Sequence, residues 1–426
     1  MSPASQPVSY RALFAIPSLG RVVASMQLAR IAGAMVGVAL VLFALLEYDS
    51  PSLAGLVTLV SILPGLVISP LAGALLDRHG RVRLVQADYL IAALSLLLIG
   101  GLSLAGRLEP WSLLLIAGIA SLTNPLSASG LRSLFPIMVP RHLWERVNAV
   151  DSNGYIVATI VGPPLAAIML SILGPAVGII VIAIPLIIAA VVLIGVREPH
   201  LETASTGRLL VDAWQGLLYV AHNRTLRGLG VAITLNNLAN GAISIIVPLL
   251  ILDAMGSTEL AVGVAFAISG VAGMIATLFV GRMDTRGREW RMLWRSMLGM
   301  AVPTLLLVPL AAGAIPGIAA GYGVLVLAMA CTGVLNGPLD IALFTLRQRR
   351  TDPAWIGRAF AVSMAVNFAG YPVGAALAGQ LASVSLVAAV GLAFVAALAS
   401  AGSSALLVPR SDPRDRRDEL RPTAVG

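Results

Sequence analysis

Gly73-Ala74-Leu75-Leu76-Asp77-Arg78-His79-Gly80-Arg81-Val82-Arg83 is a charged stretch set between two long apolar runs. Further along, Gly281-Arg282-Met283-Asp284-Thr285-Arg286-Gly287-Arg288 repeats its Asp-x-x-Gly-Arg core, 207 residues downstream. Other echoes keep the same order: Asn124-Pro125 with Gly337-Pro338, Trp144 and Arg146 with Trp355 and Arg358, and Gly162 with Gly374. Four matches at nearly one spacing indicate two copies of one unit. Parallel repeats of this kind pack about an axis along the membrane normal.

Outward from the repeat, the chain consists of apolar runs long enough to cross a bilayer, which takes roughly 20 residues each. There are twelve, near 22–46, 52–75, 84–106, 111–136, 147–171, 174–195, 228–252, 259–281, 290–313, 316–346, 359–384 and 386–408. Of 426 residues, 58% are apolar and only 11% charged. A soluble chain carries about 25% charged residues, so one water-soluble core of this size is excluded. Cys331 is the one cysteine, which excludes a disulfide scaffold. The expected fold is an all-α membrane protein of twelve transmembrane helices in two pseudo-symmetric six-helix bundles.

The arginines orient it. The chain has no lysine, and of its 28 arginines all but Arg30 and Arg107 fall in the termini, the even-to-odd connections and their flanks. The positive-inside rule places those segments in the cytoplasm with both termini, as expected for a multi-pass protein of a bacterial inner (plasma) membrane. It also accounts for the net charge of +8 without a nucleic-acid partner. The expected domains are a cytoplasmic segment 1–21, a first bundle 22–195, a linker 196–227, a second bundle 228–408 and a disordered cytoplasmic tail 409–426. Within the linker, Leu209, Leu210, Ala213, Trp214, Leu217, Leu218 and Ala221 share one face, which predicts a helix lying on the membrane surface. Residues 1–21 lack the apolar core of a signal peptide.

Gly73-x-x-x-Asp77-Arg78-x-Gly80-Arg81 resembles the loop motif of the major facilitator superfamily, and the resemblance runs over about residues 10–408. Leu63-Pro64-Gly65 with Ser69-Pro70, Val139-Pro140 before Val147-Asn148-Ala149, and Gly357-Arg358-Ala359-Phe360 before Asn367-Phe368 resemble its drug–proton antiporter branch of macrolide-efflux and siderophore-exporter proteins. The resemblance implies a conformational latch at Gly73, Asp77, Arg78, Gly80 and Arg81, with a degenerate copy at Asp284, Gly287 and Arg288. Gly162-Pro163 resembles the span-five motif of exporters, although Leu165-Ala166 follows where further glycines are usual. Small residues at spacing four, Gly154, Ala158 and Gly162 in span five and Gly370 and Gly374 in span eleven, allow close helix packing.

Ionisable residues inside the bilayer are costly and mark function by default. Asp340, Arg30, Asp151 and Asp88 are the candidates for proton coupling. Arg30 and Asp340 lie deepest, on spans one and ten, which line the cavity in the resembling family. Asp340 is the expected proton site, with Arg30 as the partner that tunes it; a static Arg30–Asp340 or Arg30–Asp151 pair is the alternative. Asp88 is expected to pair with the arginine collar around Arg132. Gln27, Met35, Asn124, Asn236, Asn237, Asn240 and Asn367 are the substrate-contact candidates, in a cavity with few fixed charges.

No Gly-x-x-x-x-Gly-Lys loop exists to bind a nucleotide, and His79, His142, His200 and His222 lack metal-ligand spacing. The expectation is a transporter and not an enzyme, without a cofactor, driven by the proton gradient and acting as a monomer. It would work by alternating access, exporting lipophilic or amphiphilic small molecules in exchange for protons. An uptake carrier or uniporter for a metabolite, or a lipid-handling protein, is the alternative on the same fold.

Overall fold

The computed structural model describes residues 9–198, 209–283, 287–352 and 355–411. Asp284 and the chain beyond Ser411 lie outside that set, and at Gly73 and Asp77 the description covers the helical backbone alone. The described residues form helices and connections, with no strand among them.

Twelve helices are long and apolar enough to cross a membrane: Leu19–Tyr48, Pro51–Ser69, Arg81–Leu104, Pro110–Leu134, Arg146–Leu173, Pro175–Val192, Arg224–Ala254, Glu259–Val280, Glu289–Ala311, Ile318–Arg349, Val362–Ala382 and Leu386–Leu407. They are spans one to twelve below. Their ends follow local chemistry. Ser50 accepts from Leu53 N at 3.2 Å and Pro51 opens span two, where its missing N–H costs nothing. Gly80 at φ 88° ends the helix Pro51–His79, whose first part is span two, and starts span three, a conformation that a Cβ would strain. Arg21 closes the far end of span six, donating to Val192 O through Nε at 3.0 Å and Nη2 at 2.7 Å, and also to Ile194 O. The last carbonyls of a helix have no partner within it, and a guanidinium is well suited to take them.

Prolines shape the interiors. Span four is segmented into Pro110–Ser121 and Asn124–Gly130 just before Pro125, and span nine is segmented around Pro303 and Pro309. Span seven passes Pro248 into a π-turn at Leu250–Ala254. Proline removes one rung of the ladder, and the chain re-forms it with a break or a wider turn.

Packing divides the chain into two compact units, Met1–Leu210 with Val247–Gly270, and Val211–Ile246 with Val271–Gly426. The segment Val247–Gly270 groups with the first six spans because span eight meets span five there. A Cβ on Gly263 would lie 2.7 Å from Pro164 Cα and 2.8 Å from Ala167 Cβ.

The linker holds a helix at Leu209–His222, as the pattern predicts, with Trp214 exposed. Its far end is tied within the second unit: Tyr219 stacks on Trp355 at 4.9 Å and its hydroxyl accepts from Asp352 N at 2.9 Å.

Candidate functional site

Glycine contacts set the backbone of each unit. In the first, Gly162 of span five lies against span one, where an added Cβ would come 3.2 Å from Ile31 O and overlap Ala34. In the second, span eleven meets span seven the same way: Cβ atoms on Gly370 and Gly374 would come 3.1 Å from Leu238 N and 2.8 Å from Leu238 Cα. Spans one and five, and seven and eleven, are the same pair in the two copies of the repeat.

That close approach brings charges together in the first unit. Arg30 of span one donates Nη1 to Asp151 O at 2.9 Å, and its Nη2 pairs with Asp151 Oδ1. Arg132 Nε lies 2.9 Å from Asp151 Oδ2 as an ion pair, without the alignment of a hydrogen bond. The Asp151 side chain is fully buried, whereas Arg30 is 14% and Arg132 53% exposed. The Arg30 guanidinium also lies 3.9 Å over the Tyr155 ring. Arg30 is therefore held on one side by a carboxylate and on another by an aromatic face, two interactions that each gain strength when desolvated. Gly154 is needed beside it, since a Cβ there would sit 2.8 Å from Arg30 Nη1.

A cavity of about 430 Å³ opens next to this cluster, lined by Arg30, Asp88, Tyr89, Asn124, Ser127 and Tyr155 on otherwise mostly apolar walls that include Ala158. That volume suits a drug-sized organic molecule. Asp88 is 4% exposed and forms no ion pair among the described residues. The Ser127 and Thr123 hydroxyls stand near it, each donating to a carbonyl of its own helix at 3.1 Å.

Two expectations are corrected here. Arg30 does not reserve its charge for Asp340, because Asp151 takes it through both carboxylate and carbonyl. Asp88 does not join Arg132, because Arg132 is drawn to the doubly served Asp151. Two substrate candidates also change role: Gln27 spends its amide on Gly154 O at 3.1 Å, and Met35 is 5% exposed in the core, outside the cavity lining. Asn124 does line it.

In the second unit the asparagines form a different structure. Asn237 Nδ2 donates to Asn367 O at 2.8 Å. The Asn367 amide, oriented to satisfy both its ends, accepts from Arg347 Nη2 at 2.6 Å and donates to Ser363 O at 3.0 Å. Arg347 is fully buried and its Nη1 also meets Met364 Sδ at 2.9 Å. Asn236 is buried at 5% exposure, and Asn240 is half-buried. Asp340 is exposed, seven residues before Arg347 on the same helix, which places the two on one face about 10 Å apart. Among the described residues Asp340 has no ion pair or hydrogen bond.

At the loop motif, Arg78 is exposed at the end of its helix. Arg81 N donates to Glu198 Oε2 and its Nη1 to Glu198 Oε1, both at 2.7 Å, while Nε donates to Ser133 at 2.9 Å. Glu198 thus covers the N-terminus of span three, where a carboxylate is favoured by free N–H groups and the helix dipole. Gly287 takes φ 72° in the second copy and Arg288 is exposed beside it.

Glu198, Tyr155 and Arg347 did not emerge from the sequence. Tyr155 carried a usable signal, lying four residues after Asp151 on one helical face. Glu198 and Arg347 read as loop charges.

The model of the Major Facilitator Superfamily matches residues 22–234 and again 229–424, one match for each copy of the repeat. The chain belongs to that superfamily. An uncharacterised MFS-type transporter, y4rN, of Sinorhizobium fredii is 37% identical over 414 residues, covering 95% of this chain and 98% of the relative. The multidrug efflux pump Tap of Mycolicibacterium fortuitum is 26% identical over 396 residues, 89% of this chain and 93% of the pump. Macrolide efflux protein A of Streptococcus pyogenes is 23% identical over 359 residues, 83% and 86% respectively. These relatives match the branch to which the Leu63-Pro64-Gly65 and Val147-Asn148-Ala149 stretches pointed. Among solved structures, the nucleoside transporter NupG superposes with a TM-score of 0.70 at 13% identity, covering 91% of this chain and 99% of that one. A bacterial homologue of the iron transporter ferroportin gives 0.67 at 16%, covering 93% and 98%. At such identity these two attest the fold alone. This superfamily member is a multi-pass membrane transporter and not an enzyme.

Proposed function

We propose that this transporter exports lipophilic or amphiphilic organic molecules in exchange for protons, with both termini in the cytoplasm of a bacterial cell. The observation that carries the reading is the cavity of the first unit: about 430 Å³, with mostly apolar walls and one buried carboxylate, Asp88, that pairs with no cation among the described residues. Apolar walls bind an amphiphile through its desolvated surface. A carboxylate with only hydroxyls beside it can take either a proton or a substrate cation, and such competition is what couples the two fluxes. Asp340 of span ten offers a second carboxylate, without an ion pair or hydrogen bond among the described residues. Asp151 is unsuited to the task, because Arg30 and Arg132 already occupy its two carboxylate oxygens. The efflux relatives support the direction of transport.

The test is accumulation of macrolides, tetracyclines, cationic dyes and siderophores in cells with and without the chain. The expected result is lowered accumulation of one compound class, abolished by a protonophore and by Asp88→Asn or Asp340→Asn. Lowered accumulation that survives both substitutions and the protonophore would contradict proton coupling. Raised accumulation would contradict export.

A further inference from the structure

Away from that cavity, a second hollow of about 450 Å³ lies at the junction of spans eight and nine, lined by Met283, Arg288, Arg291, Met292, Arg295 and Ser296. The three arginines stand at i, i+3 and i+7 of one helix start, so they share a face. All three are exposed. None makes an ion pair among the described residues, and Arg295 rests 5.8 Å from the Trp294 ring. The acid of that first turn, Glu289, is buried and engaged elsewhere with Arg349. The helix start is also open. The first bond of the helix runs from Met292 N to Arg288 O at 2.9 Å, and no side chain caps the N–H groups before it. Three guanidinium groups without an ion pair among the described residues line one space beside an uncapped helix start, an arrangement that suits phosphate oxygens.

Position selects the source of the phosphate. Span eight ends at Val280 and span nine begins at Glu289, so the hollow lies at the level where a bilayer presents its headgroups. Met283 and Met292 give it an apolar wall, and basic pockets at such places take acidic lipid headgroups. We infer that the hollow formed by Arg288, Arg291 and Arg295 binds the phosphodiester of one anionic phospholipid, whose acyl chains lie along the adjoining span. A soluble phosphate shares the charge but would leave the methionine wall bare. Binding there would tie transport activity to the acidic-lipid content of the membrane.

The test is native mass spectrometry of the delipidated full-length protein, titrated with phosphatidylglycerol or with phosphatidylcholine of the same chains. The expected result is one site preferring phosphatidylglycerol at least tenfold. The preference falls to within twofold in Arg288→Gln/Arg291→Gln/Arg295→Gln. It persists in Arg11→Gln/Arg83→Gln/Arg224→Gln, which removes equal charge elsewhere. If the triple variant is not monodisperse, Arg291→Glu alone is expected to reduce the preference at least threefold. A preference retained in the site variants, or lost equally in the control, overturns the inference. Displacement of the lipid by an equal concentration of glycerol phosphate overturns the lipid assignment and leaves a soluble-phosphate site.

Discussion

Asp151→Asn probes the polar centre of the first unit with little change of shape. The amide keeps an oxygen that Arg30 can reach, so what is lost is the charge. The Asp151 side chain is fully buried and Arg30 is 14% exposed. Leaving a buried guanidinium without its counter-charge costs about 3–5 kcal/mol. Arg132 is 53% exposed, and water replaces its partner at a cost of about 0.2–1 kcal/mol. The two pairs share one carboxylate yet differ in weight, and double-mutant cycles separate them. Unfolding of the purified protein in mixed detergent micelles, followed by helicity, gives the stabilities. The expected coupling exceeds about 2 kcal/mol for Asp151→Asn with Arg30→Gln, and stays below about 1 kcal/mol with Arg132→Gln. Equal couplings, or a loss below about 1 kcal/mol for Asp151→Asn alone, would refute the claim that burial decides the strength of this network.

Gly374→Ala forces a methyl group onto the Leu238 backbone and should cost about 1–3 kcal/mol, whereas Gly323→Ala, with nothing within 4 Å, should be neutral or slightly stabilising; thermal unfolding in detergent ranks the two. Glu198→Gln removes the anion from the start of span three, and hydrogen exchange of the Arg81–Leu84 amides should quicken by about fivefold, equivalent to about 1 kcal/mol of local stability. In a Cys331→Ser background, a cysteine replacing Arg107 should react with an impermeant maleimide from outside intact cells and one replacing Arg83 should not; the reverse pattern would invert the topology.

The spans were legible because lipid imposes a rule that composition alone expresses: a backbone in hydrocarbon must close its own hydrogen bonds. Glycine spacing marked sites of close contact without naming the partner helix: Gly162, Gly370 and Gly374 lie where backbones touch, and Gly154 lies where the Gln27 and Arg30 side chains reach. Charge partners were less legible. Arg30 and Asp151 are 121 residues apart, and depth reckoned along the chain matched Arg30 with Asp340 instead. Only the close contact of spans one and five decides that Asp151, rather than Asp340, receives Arg30. Arg347 looked like part of a loop because it precedes Arg349 and Arg350, yet its helix carries it inward to Asn367. A single residue of rotation about a helix separates those two fates, and hydropathy averages do not resolve it.

The central claim is exchange of an amphiphilic organic molecule for protons. Proteoliposomes holding the purified chain and an entrapped pH dye, with an imposed proton gradient, test it directly by following substrate and proton movement together. The account predicts proton flux that appears only when a transported compound is added, in step with movement of that compound, and that is lost in Asp88→Asn or Asp340→Asn. Substrate movement with no accompanying proton flux would contradict it.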